Sequence, residues 1–260
     1  GNALSATMLD DPIYFDSIGQ GQASGFTIDM EESSHATEGW YSEASVQSIL
    51  YDLYDDDSDG VDSLSLGLPP LYDTLIDPGY LDSDYLNSIF VFLDKLKEKA
   101  PGFSGQIDLL ALDQDINGTG QDGSGETNDG DIPAVLPLYK TVDVDGAAVE
   151  LCSTDAAGFA QDNYNSLGAR DFAMLEIAFP QNLQIVISRV SGSTSRDPDL
   201  VIWSKGEALV QSDSGNIDQE IWNGQLSTGS YVLEVYDWNI VQDDMSGSQS
   251  ACFELSVSAE

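Results

Sequence analysis

The stretch Gly229-Ser230-Tyr231-Val232-Leu233-Glu234-Val235-Tyr236 is the clearest structural signal in the sequence. Its β-branched and aromatic residues follow a glycine and form a run about as long as one strand. Comparable runs stand at 183–190, 200–203 and 253–257, with glycine and serine turns between them. Short strands at such spacing are typical of two packed sheets. The pattern predicts an antiparallel β-sandwich over residues 132–260.

The two cysteines, Cys152 and Cys252, lie near opposite ends of this predicted sandwich. An even pair placed in this way indicates a disulfide, and a disulfide indicates an oxidising compartment. The alternative is two separate buried thiols. Neither cysteine belongs to a C-x-x-C motif or has a histidine nearby, which argues against a zinc or redox role.

Residues 1–112 have a helical pattern, so the predicted fold class is α + β in two parts, with a helical lobe before the sandwich. A helix is predicted over 42–54, because Ser42 is a good N-cap and apolar residues follow at helical spacing. These residues are Val46, Ile49, Leu50 and Leu53.

A second helix is predicted from Ser83 to Lys99, where Pro101-Gly102 ends it. Its last turns carry Lys95, Lys97 and Lys99 at the negative end of the helix dipole. Shorter helical turns are predicted at 71–76 and 107–112.

The segment 113–131 consists mainly of Asp, Gly, Asn, Ser and Thr. Such a composition buries little apolar surface, so we interpret this segment as an acidic linker between the lobe and the sandwich.

Charge is the most unusual property of the chain, with 46 acidic residues against 8 basic ones and a formal net charge of −38. This field repels nucleic acid and anionic membrane surfaces. It favours a heavily hydrated surface suited to salty water, the binding of divalent cations, or both. No apolar run is long enough to span a membrane. The opening Gly1-Asn2-Ala3-Leu4-Ser5 is expected to continue from an upstream segment.

The second half resembles the bacterial pre-peptidase C-terminal domain family of secreted proteases. The matching motifs run from about 165 to 260 and are Asp171-Phe172-Ala173, Asp197-Pro198-Asp199-Leu200, Gly229-x-Tyr231-x-x-x-Val235-Tyr236 and Phe253 to Val257. The resemblance implies that the antiparallel β-sandwich is jelly-roll-like. It also implies a secreted or cell-surface location and a non-catalytic accessory module for stability, secretion or substrate adhesion. The alternative is an unrelated sandwich with similar turns.

Residues 1–112 resemble the helical lobe of thermolysin-like and fungalysin-like zinc metallopeptidases. The stretch Ser42 to Asp52 has a residue pattern similar to that of their G-E-x-x-A-x-x-L-W-E helix. Gly1 to Ser5 resembles the segment after their third zinc ligand. A zinc site of that kind needs two histidines one helical turn apart. This chain has a single histidine, His35. It therefore cannot build the zinc site alone, and zinc is expected only with an upstream half.

Two residues near the helix at 42–54 are candidates for a catalytic role by this resemblance. Tyr41 stands where the family has an oxyanion-stabilising histidine, and a phenol can donate the same hydrogen bond. Glu43 occupies the position of the family's helix glutamate. The alternatives are an aromatic ring that packs at the helix start and a carboxylate that stabilises the helix dipole. His35 lies in a polar loop and is interpreted as solvated.

Two acidic loops have the first half of a calcium-loop pattern. The first contains Asp55, Asp57 and Asp59 before Gly60, with Leu66 where a bidentate glutamate is expected. In the second, Asp113, Asp115 and Asn117 precede Gly118, with Ser124 at the glutamate position and Glu126 nearby. The alternative is acidic loops that bind nothing tightly.

The sequence leaves two functional hypotheses. One is the non-catalytic C-terminal portion of an exported zinc-metallopeptidase-like protein. The other is a stand-alone extracellular or cell-surface binding or adhesion protein. Either would act on a protein or polysaccharide partner, and neither would bind nucleic acid.

We predict that the loop with Asp57 and Asp59 binds calcium with a dissociation constant on the order of 10⁻⁴ M. Millimolar calcium should then stabilise the folded chain by about 1.5–3 kcal/mol. Thermal unfolding at matched ionic strength should show a smaller calcium effect in an Asp57→Asn, Asp59→Asn variant than in the wild type. An equal shift in both proteins would identify the loop as a solvated acidic turn.

Overall fold

The structure is a computed structural model, and it describes residues 1–18, 20–31, 38–56, 63–132, 135–155, 166–192, 196–241 and 250–260. Within these ranges, no helix is both long enough and apolar enough to cross a membrane.

Seven α-helices are present in the described residues. They are α1 (Asn2–Leu9), α2 (Glu43–Asp52), α3 (Leu68–Leu75), α4 (Pro78–Leu81), α5 (Ile89–Lys99), α6 (Ser104–Asp113) and α7 (Trp238–Val241). The predicted helix at 42–54 is confirmed as α2, and the Ser42 hydroxyl accepts the backbone N–H of Ser45 at its start. The shorter turns predicted at 71–76 and 107–112 are confirmed as parts of α3 and α6.

The predicted start of the second long helix is wrong. Its first residue is Ile89 and not Ser83. The Ser83 hydroxyl accepts the backbone N–H of Tyr85 at 3.1 Å, a local turn that competes with helix formation. The lysines at the other end form ion pairs across the helical lobe, from Lys97 to Asp108 and from Lys99 to Asp77.

The N-terminal part is not purely helical, contrary to the sequence prediction. Strands β1 (Ile13–Ile18) and β2 (Ser24–Asp29) form an antiparallel hairpin in which Tyr14 is paired with Ile28. Both side chains pack against a small cluster that includes buried Met30. This short hairpin lacks the run of strongly apolar residues that marks the strands of the sandwich.

The predicted sandwich is present as two sheets. Its strands are β3 (Lys140–Val142), β4 (Val149–Thr154), β5 (Asp171–Ile177), β6 (Gln181–Gly192), β7 (Pro198–Ser204), β8 (Glu207–Ser212), β9 (Gln219–Leu226), β10 (Gly229–Asp237) and β11 (Ser250–Ala259). One sheet has the order β3-β5-β10-β7-β8 and the other β4-β11-β6-β9. The four strand runs predicted from sequence correspond to β6, β7, β10 and β11.

The named strands pair antiparallel except β3 and β5, which are parallel. The chain leaves β3, crosses to β4 in the opposite sheet, and returns to the first sheet as β5. Two reversals restore the original direction, so β5 runs parallel to β3. The expectation of a wholly antiparallel sandwich is corrected at this pair.

The central strands β5, β10 and β7 of the five-stranded sheet are buried on both faces. In β5, Ala173 and Leu175 belong to the core between the two sheets, whereas Phe172 belongs to the core of the helical lobe and Met174 packs against that core. This alternation is the two-residue period of a strand. The helical residues therefore form a third layer on the outer face of the sheet.

The interpretation of 113–131 as a linker without core side chains is wrong at Ile116. This side chain is 2% exposed and belongs to the helical core. Gly123 has a positive φ of 64° and lies so close to Phe90 that a Cβ there would be 2.9 Å from the ring. Only glycine fits both the backbone conformation and the contact.

Glu126 holds the same segment together through hydrogen bonds. Its carboxylate accepts backbone N–H groups at 2.8–3.0 Å from Asn117, Gly118, Thr127 and Asn128. A carboxylate that accepts several such bonds orders a loop that has few apolar residues of its own. Composition alone gave the wrong interpretation because this stabilisation is polar.

The predicted disulfide is present between Cys152 of β4 and Cys252 of β11. The two residues stand directly opposite each other on paired strands. In chain order, β4 is the first strand of the four-stranded sheet and β11 is the last. The bond therefore links neighbouring strands from the two ends of this part of the sequence.

We predict that a Cys152→Ala, Cys252→Ala variant loses about 3–5 kcal/mol of unfolding free energy. The bond closes a loop with a sequence separation of 100 residues, and its loss restores chain entropy to the unfolded state. Urea unfolding of the variant and the unreduced wild type measures the difference. A loss below about 1 kcal/mol, or two alkylated thiols in the unreduced wild type, would contradict the prediction.

Candidate binding cavity

A cavity of about 380 Å³ lies between the helical layer and the outer face of the five-stranded sheet. Its floor is formed by strand residues of β5, β7 and β10. Its walls come from the segment before α5, from 138–139 and from Trp40. This volume falls in the range of small-molecule sites.

The floor follows from strand register. Trp203 of β7 is paired with Val232 of β10, and Phe172 of β5 is paired with Glu234 of β10. All four side chains line the cavity. Residues 232 and 234 are two positions apart and so lie on the same face of the strand.

The walls are largely aromatic. Tyr139 lies between Tyr85 and Phe172, with ring centroids 5.4 and 6.3 Å away. Trp40 lies 6.2 Å from Phe90 and is 4% exposed. Packing against the helical layer on one side and the five-stranded sheet on the other therefore fixes the apolar walls.

The β7–β8 turn sets the position of one edge of the cavity. Lys205 and Gly206 both have positive φ, as the two central residues of a type I′ hairpin turn require. A Cβ on Gly206 would collide with the carbonyl oxygen of Leu81 in α4. The sandwich thus touches the helical layer backbone to backbone at this point.

The floor carries one buried charge, and it is paired. Glu234 is 6% exposed, and its Oε1 lies 2.5 Å from the Arg170 Nε. Its Oε2 accepts the indole N–H of Trp203 at 2.7 Å. Arg170 also lies over the ring of Tyr236, 5.0 Å from the centroid. Both carboxylate oxygens are therefore engaged by the protein itself.

Two other polar groups that belong to cavity residues have no such partner. The Trp40 Nε1 and the Ser88 Oγ are buried and make no hydrogen bond within the described part of the chain. Ser88 precedes α5 at the N-cap position, but its side chain makes no capping bond. Buried donors of this kind usually find a partner in protein, water or ligand.

A second group of buried polar residues lies on β7, β9 and β10, away from the cavity. Burial, together with the nearby carboxylates Asp197, Asp213 and Glu220, raises the pKa of Asp199 to about 7. Asp237 is fully buried, and burial also raises its pKa, but Arg196 at 3.5 Å opposes this effect.

Tyr41 and Glu43, the candidate catalytic residues, have different surroundings. Tyr41 is buried, its hydroxyl donates to the carbonyl oxygen of Glu38 at 3.2 Å, and burial raises its pKa to about 12. The exposed Glu43 accepts from Gln47 and Asn2 at 2.6 and 3.1 Å. Their partners differ, and no described contact brings the two together. His35 lies outside the described residues.

The first candidate calcium loop is only partly described, since Asp57 and Asp59 lie outside the described residues and only Asp55 falls within them. In the second loop, the amide oxygen of Asn117 accepts the backbone N–H of Thr127 at 3.0 Å. Glu126 is occupied by backbone N–H groups.

Among the described residues, three or more acidic, histidine or cysteine ligand atoms converge only at Glu150, Cys152 and Cys252. The two sulfur atoms there form the disulfide, so this group does not offer thiolate ligands. Asp113, Asp115 and Glu126 do not converge in this way. Calcium binding at either acidic loop stays a prediction.

Sequence reasoning missed the cavity residues, although two signals were present. Glu234 interrupts an apolar strand run, and Arg170 is one of only 8 basic residues in the chain. A charge inside a strand buried on both faces implies a partner on another element. The identity of that partner could not be read from spacing.

No protein family and no curated protein matches the sequence. Among solved structures, it is similar to the pre-peptidase C-terminal domain of collagenase from Bacillus anthracis, with 16% identity over 46% of this chain and 93% of that chain, at a TM-score of 0.31. It is also similar to PliG, a periplasmic inhibitor of g-type lysozyme. The Aeromonas hydrophila protein has 17% identity over 47% of this chain and 97% of that one, at a TM-score of 0.27. The Salmonella Typhimurium protein has 12% identity over 45% and 98%, also at 0.27. The first is a domain of the kind that the sequence resembles, but similarities of this size do not indicate a function.

We predict that Asp199 makes the fold less stable as the pH rises from about 4 to 7. Its pKa is raised from 3.8 in the unfolded reference to about 7 in the fold, so the folded state retains a proton that the unfolded state has lost. The stabilisation is complete below pH 4 and is lost as the pH passes 7. The difference is on the order of 2–4 kcal/mol.

An Asp199→Asn variant should therefore be more stable than the wild type at pH 8, with a shallower pH dependence. Urea unfolding from pH 4 to pH 8 measures this effect, and Glu254→Gln, which removes an exposed charge from β11, is the control. Parallel pH profiles for the wild type and Asp199→Asn would refute the assignment.

Proposed function

We propose that this chain is a non-catalytic binding protein of an oxidising, extracytoplasmic compartment and that the cavity is its binding site. The observation that carries the proposal is a cavity with aromatic walls and a buried charge that the protein itself pairs. Concave sites with apolar walls and a few placed polar groups are the usual form of ligand sites. The disulfide between Cys152 and Cys252 supports the compartment.

The sequence supports a non-catalytic role. With His35 as its single histidine, the chain has no H-E-x-x-H motif and cannot complete a Ser-His-Asp triad unless His35 is the base. A catalytic role for Tyr41 and Glu43 would need a metal site that an upstream segment supplies. The proposal therefore assigns binding, and not hydrolysis, to this chain.

A second candidate is favoured by the sequence motifs around 42–52 and 165–260. In it, the chain is the C-terminal portion of an exported zinc-metallopeptidase-like protein, and the sandwich is its accessory module. The coding sequence upstream of Gly1 distinguishes the candidates. An H-E-x-x-H motif behind a signal peptide supports the second, and a signal peptide directly before Gly1 supports the stand-alone protein.

We predict that the purified chain, after dialysis, holds no stoichiometric zinc and does not cleave casein, but binds small molecules in the cavity. Ligand-observed NMR with a mixed set of neutral sugars, blocked amino acids, amines and carboxylates detects the binding. Tyr85→Ala removes a half-buried wall residue and should weaken the binding at least about tenfold, because stacking on an aromatic ring is lost.

Tyr72→Ala is the matched control, because Tyr72 is exposed on α3 and does not line the cavity. Chelator-sensitive casein cleavage with one equivalent of zinc would overturn the non-catalytic assignment. An absence of binding by every class of small molecule would overturn the cavity as the functional site.

A further inference from the structure

We infer that the cavity binds a small apolar monocarboxylate, whose carboxylate pairs with the ammonium group of Lys205 while its aromatic or aliphatic body packs on the cavity walls. This inference rests on the proposed binding function and names the ligand class. Three features of the cavity support it: a concentration of cations, a lysine without a partner, and the unusual backbone conformation of that lysine.

Cations are concentrated at this cavity. Two of the 8 basic residues of the chain line it, Arg170 and Lys205, against only two of the 46 acidic residues, Asp84 and Glu234. The lining residues are therefore neutral as a set, in a protein with a formal net charge of −38. An anion meets less repulsion at a neutral wall than at the rest of such an acidic surface.

Lys205 is the cation that the protein leaves available. The other basic residues of the chain each lie within 3.5 Å of a carboxylate oxygen. Lys205 is exposed, and its ammonium group has no ion pair or hydrogen bond within the described part of the chain. This group offers three N–H donors on a flexible stem, so it can pair with an anion that comes from outside the chain.

The backbone conformation of Lys205 is unusual for a lysine. Its φ is 52°, at the first central position of the two-residue turn between β7 and β8. Such turns favour asparagine, aspartate or glycine there, because other residues adopt a positive φ at a cost. Aspartate is abundant in this chain, yet a lysine occupies a position that suits aspartate better. Residues that oppose the local structural preference are concentrated at functional sites.

The turn that carries Lys205 is held against the cavity. Gly206 packs against the carbonyl oxygen of Leu81 in the helical layer. The Ser204 hydroxyl donates to the carbonyl oxygen of Ser230 at 3.2 Å. These contacts fix the backbone on both sides of the lysine, so only its side chain has to move when a ligand binds.

The walls and the floor select the rest of the ligand. Tyr85, Tyr139 and Trp203 are half-buried, so an apolar body can cover the parts of their rings that remain accessible. Both oxygens of Glu234 are engaged by Arg170 and Trp203, so the floor offers a cationic ligand no free carboxylate. A dianion would bring a second charge, for which the described lining residues have no unpaired cation.

The test is titration of the full chain with phenylacetate and hexanoate by calorimetry and ligand-observed NMR. Phenylacetamide, phenethylamine and phenylmalonate change the charge at the same ring, and acetate lacks the apolar body. We expect saturable binding of at least one of the two acids, at least about threefold tighter than that of each comparison probe.

The carboxyl terminus of a peptide offers the same chemistry as a free acid. An N-acetylated tripeptide that ends in phenylalanine, with a free or an amidated terminus, distinguishes the two sources. Tighter binding of the free-terminus peptide than of phenylacetate indicates a peptide ligand, and weaker binding indicates a small acid. Either result supports the inference if the amidated peptide binds more weakly than the free one.

Three variants at one position assign the contact. Lys205→Gln should weaken binding by about three- to tenfold, between the effect of an exposed ion pair and that of a buried charged hydrogen bond. Lys205→Arg keeps the charge and should bind within about twofold of the wild type. Lys205→Asn should lose affinity as Lys205→Gln does, but its Tm should be no lower than that of the wild type, because asparagine suits the turn. A lysine with a purely structural role would lower the Tm of Lys205→Asn and leave the affinity unchanged.

Lys97→Gln is the matched control, because it makes the same change in net charge at a lysine that pairs with Asp108 and does not line the cavity. It should change the affinity less than about twofold. Equal binding of phenylacetate and phenylacetamide, or unchanged binding by Lys205→Gln, would overturn the inference. Saturable binding of the amide or the amine with neither acid would also overturn it, although the proposed binding function would survive that result.

Discussion

The structure depends on one constraint, namely that the central strands β5, β10 and β7 of the five-stranded sheet are apolar on both faces. In β10, Val232 packs in the helical core, whereas its neighbour Leu233 packs between the two sheets. A sheet of this kind needs a layer on each side to remove its apolar surface from water. The second sheet covers one face and the helical residues cover the other. The helical part and the sandwich are therefore joined by packing as well as by the chain.

The cavity follows from the same constraint. Helices do not match the surface of a twisted sheet at every point, and the mismatch here leaves space above Trp203, Val232 and Glu234. Packed aromatic rings and the Arg170–Glu234 ion pair border this space. The packing of the helical lobe and of the sandwich therefore sets its shape. Such support is what a preorganised binding site requires.

The same sandwich shows how a very acidic chain uses its few cations. Of its 8 basic residues, three form ion pairs with buried carboxylates. These pairs are Lys140–Asp171, Arg170–Glu234 and Arg196–Asp237. Asp199 is equally buried but faces other carboxylates, with Tyr236 as its hydrogen-bond partner, and its pKa rises to about 7. Lys140 and Arg196 oppose the rise that burial causes in the pKa of Asp171 and of Asp237, whereas the carboxylates around Asp199 add to the rise in its pKa.

The sequence by itself determined the local elements. Runs of β-branched and aromatic residues located β6, β7 and β10, because strands favour these residue types. Two-residue alternation located β11 and helical periodicity located α2, because burial of one face leaves a repeating pattern in the chain. The positions of Cys152 and Cys252 at the ends of one half indicated the disulfide. Only the tertiary structure decided the hairpin at β1 and β2, the packing of Ile116 and the existence of the cavity. Each of these depends on which elements meet in space, and spacing along the chain does not carry that information.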